Sequence, residues 1–252
     1  MEKQIRALLL DMLGHQKYLA LVSDVYIRLI RGGFLKKKYP ELFFLKELVK
    51  PGFVCVDIGA NVGYYSVFLS KYAGQNGHVH AVEPVDLFAK LFVKNTTQFG
   101  LGNITLHQTA LGGENKTIQM GTPVVDGVFR HGLTKVIDGD TQQNNMQTYD
   151  VNMRVPDELF ANLTRFDFLK CDVEGYEIYV MPHFIKTIAK FKPTIQMEIS
   201  SVENRKLIFD LFLPLGYQIN ALVDFALKPI NLTEALNYEG GDFYFVVAPT
   251  TV

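Results

Sequence analysis

The sequence predicts an open, doubly wound α/β sheet that is mostly parallel, carries an antiparallel pair at one edge, and follows an N-terminal helical extension. From residue 53 onward, short apolar runs alternate with helical stretches, which is typical of parallel strands covered on both faces. The last two apolar runs have no clear helix between them, so we expect them to pair antiparallel. A chain of 252 residues fits this plan, with the extension at residues 1–50 and the α/β domain at residues 51–252.

The extension is expected to contain two helices. Apolar side chains recur at helical spacing over residues 18–29, and the pair Gly32-Gly33 then provides a helix end. A shorter helix is expected over residues 41–49, before a Pro-Gly pair. The pattern leaves three roles open for this extension: a lid, a dimer contact, or packing against the edge of the domain.

Within the domain, the predicted elements follow one another in a regular order. The apolar runs predict strands at residues 53–56, 78–82, 103–107, 166–171, 194–199, 217–223 and 243–248. Helical spacing predicts helices at residues 64–72, 86–99 and 176–191, and one more with Leu207, Ile208, Leu211 and Phe212 on one side. Residues 112–155 interrupt this alternation, with a small strand expected at 115–120 and an irregular polar stretch at 138–150. A long irregular segment in a compact domain is usually functional or disordered, and we expect a substrate-facing loop.

The composition narrows the classes of function. A formal net charge of -1 gives no basic field of the kind that indicates nucleic acid or an anionic membrane, and Lys36-Lys37-Lys38 is interpreted as a solvated helix end. No apolar run approaches the ~20 residues of a membrane span, and the N-terminal residues are too charged for a signal peptide. Cys55 and Cys171 lie in apolar runs and are expected to be buried thiols, so we expect a reducing, cytoplasmic location.

The strongest motif is Val-Asp-Ile-Gly-Ala-Asn-Val-Gly at residues 56–63, which joins a buried strand directly to a helix. Glycines permit this sharp turn and let backbone N–H groups approach a ligand. Asp57 can accept a hydrogen bond from a ligand amine, and Glu83, 24 residues beyond Gly59, is placed to bind two ribose hydroxyls. Asn61 stands where a pyrophosphate-binding loop needs its second glycine. The motif therefore favours S-adenosylmethionine, which has no phosphate, over NAD.

A second acidic motif, Asp-Phe-Leu-Lys-Cys-Asp-Val-Glu-Gly-Tyr-Glu, ends the fourth predicted strand at residues 167–177. Ligands of open α/β sheets bind outside the carboxyl ends of the strands. We therefore expect Asp172 and Glu174 to face the same crevice as Asp57 and Glu83.

Together these motifs resemble the FkbM-type methyltransferases. The pattern of that family includes Asp-x-Gly-x-Asn-x-Gly-x-x-Ser, met here as far as Ser66, and a Glu-Pro pair, met by Glu83-Pro84. It also includes Lys-x-Asp-x-Glu-Gly-x-Glu, and a Pro-x-x-x-x-Glu strand, met by residues 193–198. The resemblance covers roughly residues 40–200. The helix after the acidic motif departs from the pattern, because Met-Pro-His at 181–183 stands where a glycine is usual.

The resemblance implies a class I methyltransferase, Rossmann-like fold and S-adenosylmethionine-dependent methylation of a hydroxyl, typically on a sugar or a secondary metabolite. By position, its motifs imply these cofactor-binding residues: Asp57, Gly59, Ala60, Asn61, Gly63, Ser66, Glu83 and Pro84. It places three carboxylates at or near the acceptor: Asp172, Glu174 and Glu198.

Methyl transfer to an alcohol requires near-attack geometry and removal of the acceptor proton. Asp172 is the first candidate for the base because it ends a central strand beside the cofactor turn, and His131 is the second. Either can instead be structural, with Asp172 as a helix cap and His131 as a solvated loop residue. Asp172 and Glu198 are also candidates for oxygen ligands of Mg²⁺, so a divalent metal stays open.

Two other classes of protein remain as alternatives. A methyltransferase acting on RNA or another non-carbohydrate acceptor is one, although an RNA enzyme usually shows a basic stripe or stacking aromatic residues near its pocket. A non-catalytic module that binds the ligand or a partner chain is the other, and the full set of motifs argues against it. We expect a small-molecule or glycan acceptor and no nucleic-acid partner. The oligomeric state stays open, with a dimer as one option.

Overall fold

The computed structural model describes residues 2–125, 128–137 and 145–247. The α-helices in these residues are α1 (Glu2–Arg31), α2 (Pro40–Leu48), α3 (Tyr64–Ala73), α4 (Asp86–Phe99), α5 (Pro156–Leu159), α6 (Glu177–Val180), α7 (Ile185–Phe191), α8 (Val202–Phe212) and α9 (Leu232–Leu236). The strands are β1 (Val54–Ile58), β2 (His78–Val82), β3 (Ile104–His107), β4 (Ala110–Leu111), β5 (Lys116–Val125), β6 (Val128–Phe129), β7 (Lys135–Val136), β8 (Met146–Arg154), β9 (Phe168–Cys171), β10 (Thr194–Glu198), β11 (Tyr217–Val223), β12 (Ala226–Pro229) and β13 (Asp242–Val247).

The larger sheet has eight strands in the order β12–β11–β13–β10–β9–β1–β2–β3. The strands from β10 to β3 are parallel, whereas β13, β11 and β12 pair antiparallel. The predicted fold class is therefore confirmed, and it is the class I methyltransferase layout. The strand order reverses at β1, with β2 on one side and β9 on the other. Ligands of such sheets bind at this switch point, outside the carboxyl ends of the strands.

Both faces of the sheet are buried. On one face, Ile188 and Phe209 pack with Met197 of β10 in a cluster without solvent exposure. On the other face, Leu45 of α2 and Phe68 of α3 pack against the first strands. Double coverage explains why all four residues of β9 are buried, Lys170 among them. The two cysteines are free and buried, as predicted.

The N-terminal helices pack on the domain. Gly14 interrupts α1 with a non-helical φ of 70°, so two helical segments meet there. In the second segment, Ser23 accepts a hydrogen bond from Asn95 of α4 (3.1 Å), and Arg31 donates one to the carbonyl of Phe99 (2.9 Å). The shorter helix, α2, contacts α3. None of the helices in the described residues combines the length and the hydropathy that a membrane span requires.

The segment between β3 and β9 is more regular than the sequence predicts. β5 and β8 pair antiparallel over their length and form a second sheet with β4, β6 and β7. The strand expected at residues 115–120 is therefore too short. The prediction of an irregular stretch at residues 138–150 is wrong over residues 146–150, which belong to β8 and pair with β5. The strand is polar and has no apolar run by which the sequence would indicate it. Residues 138–144 lie outside the described residues.

Two further expectations are wrong in detail. The single helix predicted over residues 176–191 is divided into α6, a 3₁₀ turn at Met181–His183 and α7. Pro182 explains the division, since it lacks the N–H of a helix interior and its ring clashes with the preceding turn. Between β11 and β13, where no helix was expected, the chain forms β12 and α9. A reciprocal capping box of Asn231 and Glu234 begins α9.

Candidate active site

A cavity of about 360 Å³ opens at the carboxyl ends of β1, β2 and β9. Its volume falls in the range of roughly 300–1,000 Å³ that is usual for small-molecule sites. The turns after these strands, the N-terminal helices and the second sheet all contribute to its wall. Nine of the predicted site residues line it: Asp57, Gly59, Ala60, Asn61, Glu83, Pro84, His131, Asp172 and Glu174.

Three predicted residues do not line the cavity. Gly63 precedes α3 with a φ of 92° and lies against Phe92, which a side chain at this position would crowd. Ser66 is fully buried and donates a hydrogen bond to Asp57. Glu198 lies at the end of β10 and is exposed. Gly63 and Ser66 can therefore support the cavity wall only through their neighbours.

Asp57 is buried with one oxygen left over. The Ser66 hydroxyl donates to its Oδ2 at 2.6 Å, whereas its Oδ1 has no hydrogen-bond partner among the described residues. Burial raises the pKa of Asp57 to about 6, although the nearby Lys170 ammonium opposes the shift. A buried carboxylate oxygen without a donor is unfavourable. A hydrogen-bond donor on a bound ligand, such as an amine, fits this position.

Glu83 connects the turn after β1 to the start of α4. Its Oε2 accepts the N–H of Asn61 at 2.9 Å, and its Oε1 accepts the N–H of Val85 at 2.8 Å. Burial raises the pKa of Glu83 to about 7. Each carboxylate oxygen has a second acceptor site, so this fixed group can also accept hydrogen bonds from two ligand hydroxyls.

Asn61 fastens the second sheet to the turn after β1. Its backbone is left-handed (φ 51°), a conformation that asparagine tolerates better than most residues. Its Nδ2 donates to the carbonyl of His131 at 3.0 Å, and its Oδ1 lies 3.1 Å from His131 Nδ1. The His131 ring also meets Phe88 edge-on, and burial lowers the pKa of His131. A glycine at position 61 would permit the turn but could not make these two contacts with His131. Through them, His131 is held on the Glu83 side of the cavity.

The turn after β9 is held in an uncommon conformation. Glu174 and Gly175 are both left-handed, with φ of 54° and 92°. Glu177 is buried, and its Oε1 accepts the N–H of Val173 at 2.9 Å, which fixes the turn from below. Non-glycine residues with positive φ persist only where the surroundings impose them, and they cluster at functional sites.

The turns after β1 and β9 touch at Gly59. A side chain there would clash with the backbone carbonyl of Asp172, so this glycine is needed for contact within the chain as well as for approach to a ligand. Beside this contact, buried Lys170 donates from Nζ to Asp172 Oδ2 at 2.6 Å. Burial alone would lower the pKa of Lys170, but the carboxylates of Asp172 and Asp57 outweigh it and raise the pKa.

Three residues near Asp172 were not predicted as site residues: Lys170, Glu41 and Asp242. The signal for Lys170 was available, since it is a lysine inside a buried strand, two residues before an aspartate on the same face. Nothing local marks the other two, because each looks like an ordinary charge at the start of a helix or strand. Both lie near Lys170, which influences the pKa of each.

Several carboxylates near Lys170 have raised pKa values. Loss of solvent, assisted by neighbouring carboxylates, raises the pKa of Glu41, Glu174 and Glu198 to about 7 in each case. The pKa of Asp242 is also raised, mainly by burial. In the described part of the chain, no set of three or more His, Cys, Asp or Glu side chains is arranged to hold a metal ion. The Mg²⁺ option for Asp172 and Glu198 therefore gains no third ligand from these residues.

The structure is similar to several solved methyltransferases. A SAM-dependent O-methyltransferase from Thermotoga maritima has a TM-score of 0.46 at 14% identity, covering 84% of this chain and 67% of that one. A methyltransferase FkbM from Methylobacillus flagellatus has a TM-score of 0.46 at 18% identity, covering 79% of this chain and 48% of that one. This chain thus spans about half the length of the FkbM structure. Fibrillarin from Aeropyrum pernix with bound S-adenosyl-L-methionine has a TM-score of 0.45 at 14% identity, covering 79% and 68%.

No curated protein matches the chain significantly. Residues 57–224, more than half of the chain, match the family model described as the methyltransferase FkbM domain. This match includes the turn after β1, Glu83 and the acidic turn after β9. The resemblance predicted from the sequence is confirmed, and the chain belongs to the FkbM methyltransferase family.

Proposed function

We propose that this protein is an S-adenosylmethionine-dependent O-methyltransferase that acts on a hydroxyl of a neutral sugar or glycan. One observation carries the proposal: a single cavity is lined by Asp57 and Glu83, from β1 and the end of β2, and by Asp172 and Glu174, from the turn after β9. The first pair suits an amine and a ribose, and the second pair suits a hydroxyl that must lose its proton.

The cofactor end is assigned to the turn after β1 and the end of β2. S-adenosylmethionine, when bound, supplies a methyl group on a positively charged sulfur. Asp57 would hold its amine through the unpaired Oδ1, and Glu83 would accept hydrogen bonds from the ribose hydroxyls. The remaining predicted cofactor residues form or support the wall: Gly59, Ala60, Asn61, Gly63, Ser66 and Pro84. His131 covers this end as a positioning residue, since it is tied to Asn61.

Glu174 is the base in this proposal. Its carboxylate lines the cavity, and its pKa of about 7 suits proton transfer near neutral pH. Asp172, the first candidate from the sequence, has one oxygen committed to Lys170 and is assigned to orienting the acceptor hydroxyl. Glu174 would take the proton of that hydroxyl, whose oxygen would receive the methyl group that bound S-adenosylmethionine would supply.

The charge of the cavity wall favours a neutral acceptor. Among the lining residues that the structure describes, Lys170 is the single lysine or arginine, and three carboxylates surround the same end: Glu41, Asp172 and Glu174. Such a wall repels phosphates, which RNA-binding sites must instead attract. Carboxylates accept hydrogen bonds from hydroxyls, and tyrosine rings offer apolar faces for the C–H groups of a sugar. Five tyrosines line the cavity: Tyr26, Tyr39, Tyr64, Tyr65 and Tyr176.

The partners in this proposal are the cofactor and a small-molecule or glycan acceptor, with no nucleic acid. A reducing, cytoplasmic location belongs to the same proposal, because both cysteines are free and buried.

Calorimetric titration with S-adenosylhomocysteine tests the cofactor end. Glu83→Ala removes both acceptor oxygens and leaves the N–H groups of Asn61 and Val85 without their partner. We expect binding to weaken about 30- to 100-fold, as for the loss of one or two hydrogen bonds to a charged group. Asp86→Ala, an exposed carboxylate three residues away, is the matched control and should leave the affinity unchanged.

Transfer of a labelled methyl group tests the acceptor class, with neutral methyl glycosides and RNA oligonucleotides as probes. Labelling of glycosides supports the proposal. Labelling of RNA alone would show that the acceptor class is wrong. Cofactor binding without transfer to any probe would favour the non-catalytic module, and a folded wild type that binds no S-adenosylhomocysteine would remove the cofactor assignment.

A further inference from the structure

A row of buried polar side chains crosses the face of the sheet that α2 and α3 cover. Register pairs place Asp57, Lys170, Gln196 and Tyr244 side by side on β1, β9, β10 and β13. None of the four is more than 3% exposed. The centre of a parallel sheet is normally apolar, and buried polar groups are unfavourable without partners. This row therefore needs an explanation.

The row has unsatisfied hydrogen-bonding atoms. Within the described residues, Asp57 Oδ1, Gln196 Oε1 and the Tyr244 hydroxyl have no partner. The other end of the Gln196 amide donates to the hydroxyl of Tyr65 at 3.1 Å, and Tyr65 lines the cavity. Buried polar atoms without protein partners mark places where water or a ligand completes the hydrogen bonds. The row thus continues the polar floor of the cavity toward β13.

The helix α2 lies over this row. Phe44 packs edge-on against the ring of Tyr244, with centroids 6.3 Å apart. One turn earlier on α2, half-buried Glu41 lines the cavity together with Tyr39 and Tyr65. The backbone N–H of Glu41 donates to its own carboxylate, and no side chain in the described residues does. Glu41 is therefore available to a ligand.

Glu41 belongs to the end of the cavity away from Glu83. Its charged neighbours are Lys170, Glu198 and Asp242, which lie on β9, β10 and β13. These strands follow β1 on the side opposite β2, where Glu83 lies. The match to the family model begins at residue 57, so α1 and α2 lie outside it.

We propose that the N-terminal extension completes the acceptor subsite, and that Glu41 is a specificity-determining residue that accepts a hydrogen bond from a hydroxyl of a neutral, polyhydroxylated acceptor. Tyr39 and Tyr65 flank this carboxylate and provide apolar faces for the ring of the acceptor. The inference rests on the proposed function and adds to it that a segment outside the family match selects the acceptor.

Saturation-transfer NMR and calorimetry with methyl glycosides, on protein saturated with S-adenosylhomocysteine, test this inference. Glu41→Ala removes the acceptor group, and we expect glycoside binding to weaken at least about tenfold, the effect of one charge-assisted hydrogen bond. Glu41→Gln keeps the size and one acceptor oxygen, and should show a smaller loss. Glu47→Gln, an exposed carboxylate on the same helix, is the control. All three variants should bind S-adenosylhomocysteine within twofold of wild type.

The outcomes separate this inference from the proposed function. Wild-type glycoside affinity in both Glu41 variants overturns the role of Glu41 and leaves the proposed function standing. A wild type that binds S-adenosylhomocysteine but no glycoside overturns the acceptor class, and this inference with it. Loss of S-adenosylhomocysteine binding in Glu41→Gln also overturns the inference, because Glu41 then serves the cofactor end or the fold. If Glu41→Ala does not fold, the Gln variant decides.

Discussion

The two ends of the cavity hold their carboxylates in different ways. At the Glu83 end, backbone N–H groups fix both oxygens of Glu83, and the Ser66 hydroxyl fixes one oxygen of Asp57. At the Glu174 end, neither Glu174 nor Glu198 receives a hydrogen bond from the described residues. A carboxylate that the backbone holds in place suits a ligand that always binds in the same position, as a cofactor does. A carboxylate without fixed donors can move, and can gain and lose a proton.

Loss of solvent is the main cause of the raised pKa at both ends, but the groups that oppose or assist it differ. Burial raises the pKa of Glu83, while backbone donors oppose the shift. The pKa of Glu174 is raised by loss of solvent and also by the charges of Asp172 and Glu198. Because the Glu174 end titrates as a coupled group, a change at one carboxylate should alter the others. A change at Glu83, whose two oxygens are held by backbone donors, should instead act on ligand affinity.

Glu174→Gln should give the largest effect and the sharpest separation of the two ends. Loss of the base should lower kcat by about 10²–10⁴-fold, the usual contribution of general base catalysis, with S-adenosylhomocysteine affinity within twofold of wild type. Since the pKa of Glu174 is about 7, its basic form increases as the pH rises through 7. Wild-type kcat/KM should rise over the same range, and the variant should lose this rise. Steady-state kinetics from about pH 5.5 to 8.5 measure both effects.

The exposed Glu203 on α8 is the control for this experiment, and Glu203→Gln should behave as wild type. If Glu174→Gln keeps its kcat while Asp172→Asn loses it, the base is Asp172. The two ends would then not differ as described, because Asp172, like Glu83, is held by a hydrogen-bond donor, the ammonium of Lys170.

A substitution at Asn61 tests whether cofactor binding at the Glu83 end depends on the position of His131. Asn61→Gly keeps the left-handed backbone but removes both contacts to His131. We expect S-adenosylhomocysteine to bind about 3- to 10-fold more weakly, as for the loss of one or two neutral hydrogen bonds. His131→Ala should cause a similar loss, and the double variant should lose little more, because the two residues act as one contact. Calorimetry on the wild type, the two single variants and the double variant completes this cycle. Additive losses of binding free energy would show that Asn61 and His131 act independently.

The Glu83 end could be predicted from the sequence because its residues are close together in the chain. Asp57 lies on β1, Asn61 in the turn after β1 and Glu83 directly after β2, and the alternation of strands and helices already determines that they meet. The Glu174 end could be predicted only in part. Glu41 and Asp242 join it through the packing of α2 and the insertion of β13 beside β10, contacts between segments far apart in the chain. No local pattern records them.

The second sheet shows a related limit. β5 and β8 are partly exposed strands with many polar residues, so neither gives the apolar run that predicts a buried strand. Their pairing is visible only once both are placed together. His131 could be singled out as a histidine in a loop, but its contact with Asn61 depends on this sheet.

Glu198→Gln should give the smallest effect and tests the coupling at the Glu174 end. Its pKa is raised in the folded protein from an ordinary value of 4.5 to about 7, so the folded state binds the proton more tightly than the unfolded state. This contribution to stability is complete below pH 4.5 and is lost as the pH rises through about 7. Because the side chain of Glu198 is only partly withdrawn from solvent, screening should limit the difference to under about 1 kcal/mol.

Removing the charge of Glu198 should therefore raise the Tm by about 1–3 °C at pH 8 and leave it unchanged at about pH 4.5. Thermal unfolding at the two pH values measures the difference, with Glu47→Gln as a control that should show no pH-dependent shift. An equal shift at both pH values would mean that the substitution acts through packing and not through charge. The carboxylates of the Glu174 end would then titrate independently, and that end would differ from the Glu83 end only in its hydrogen bonds.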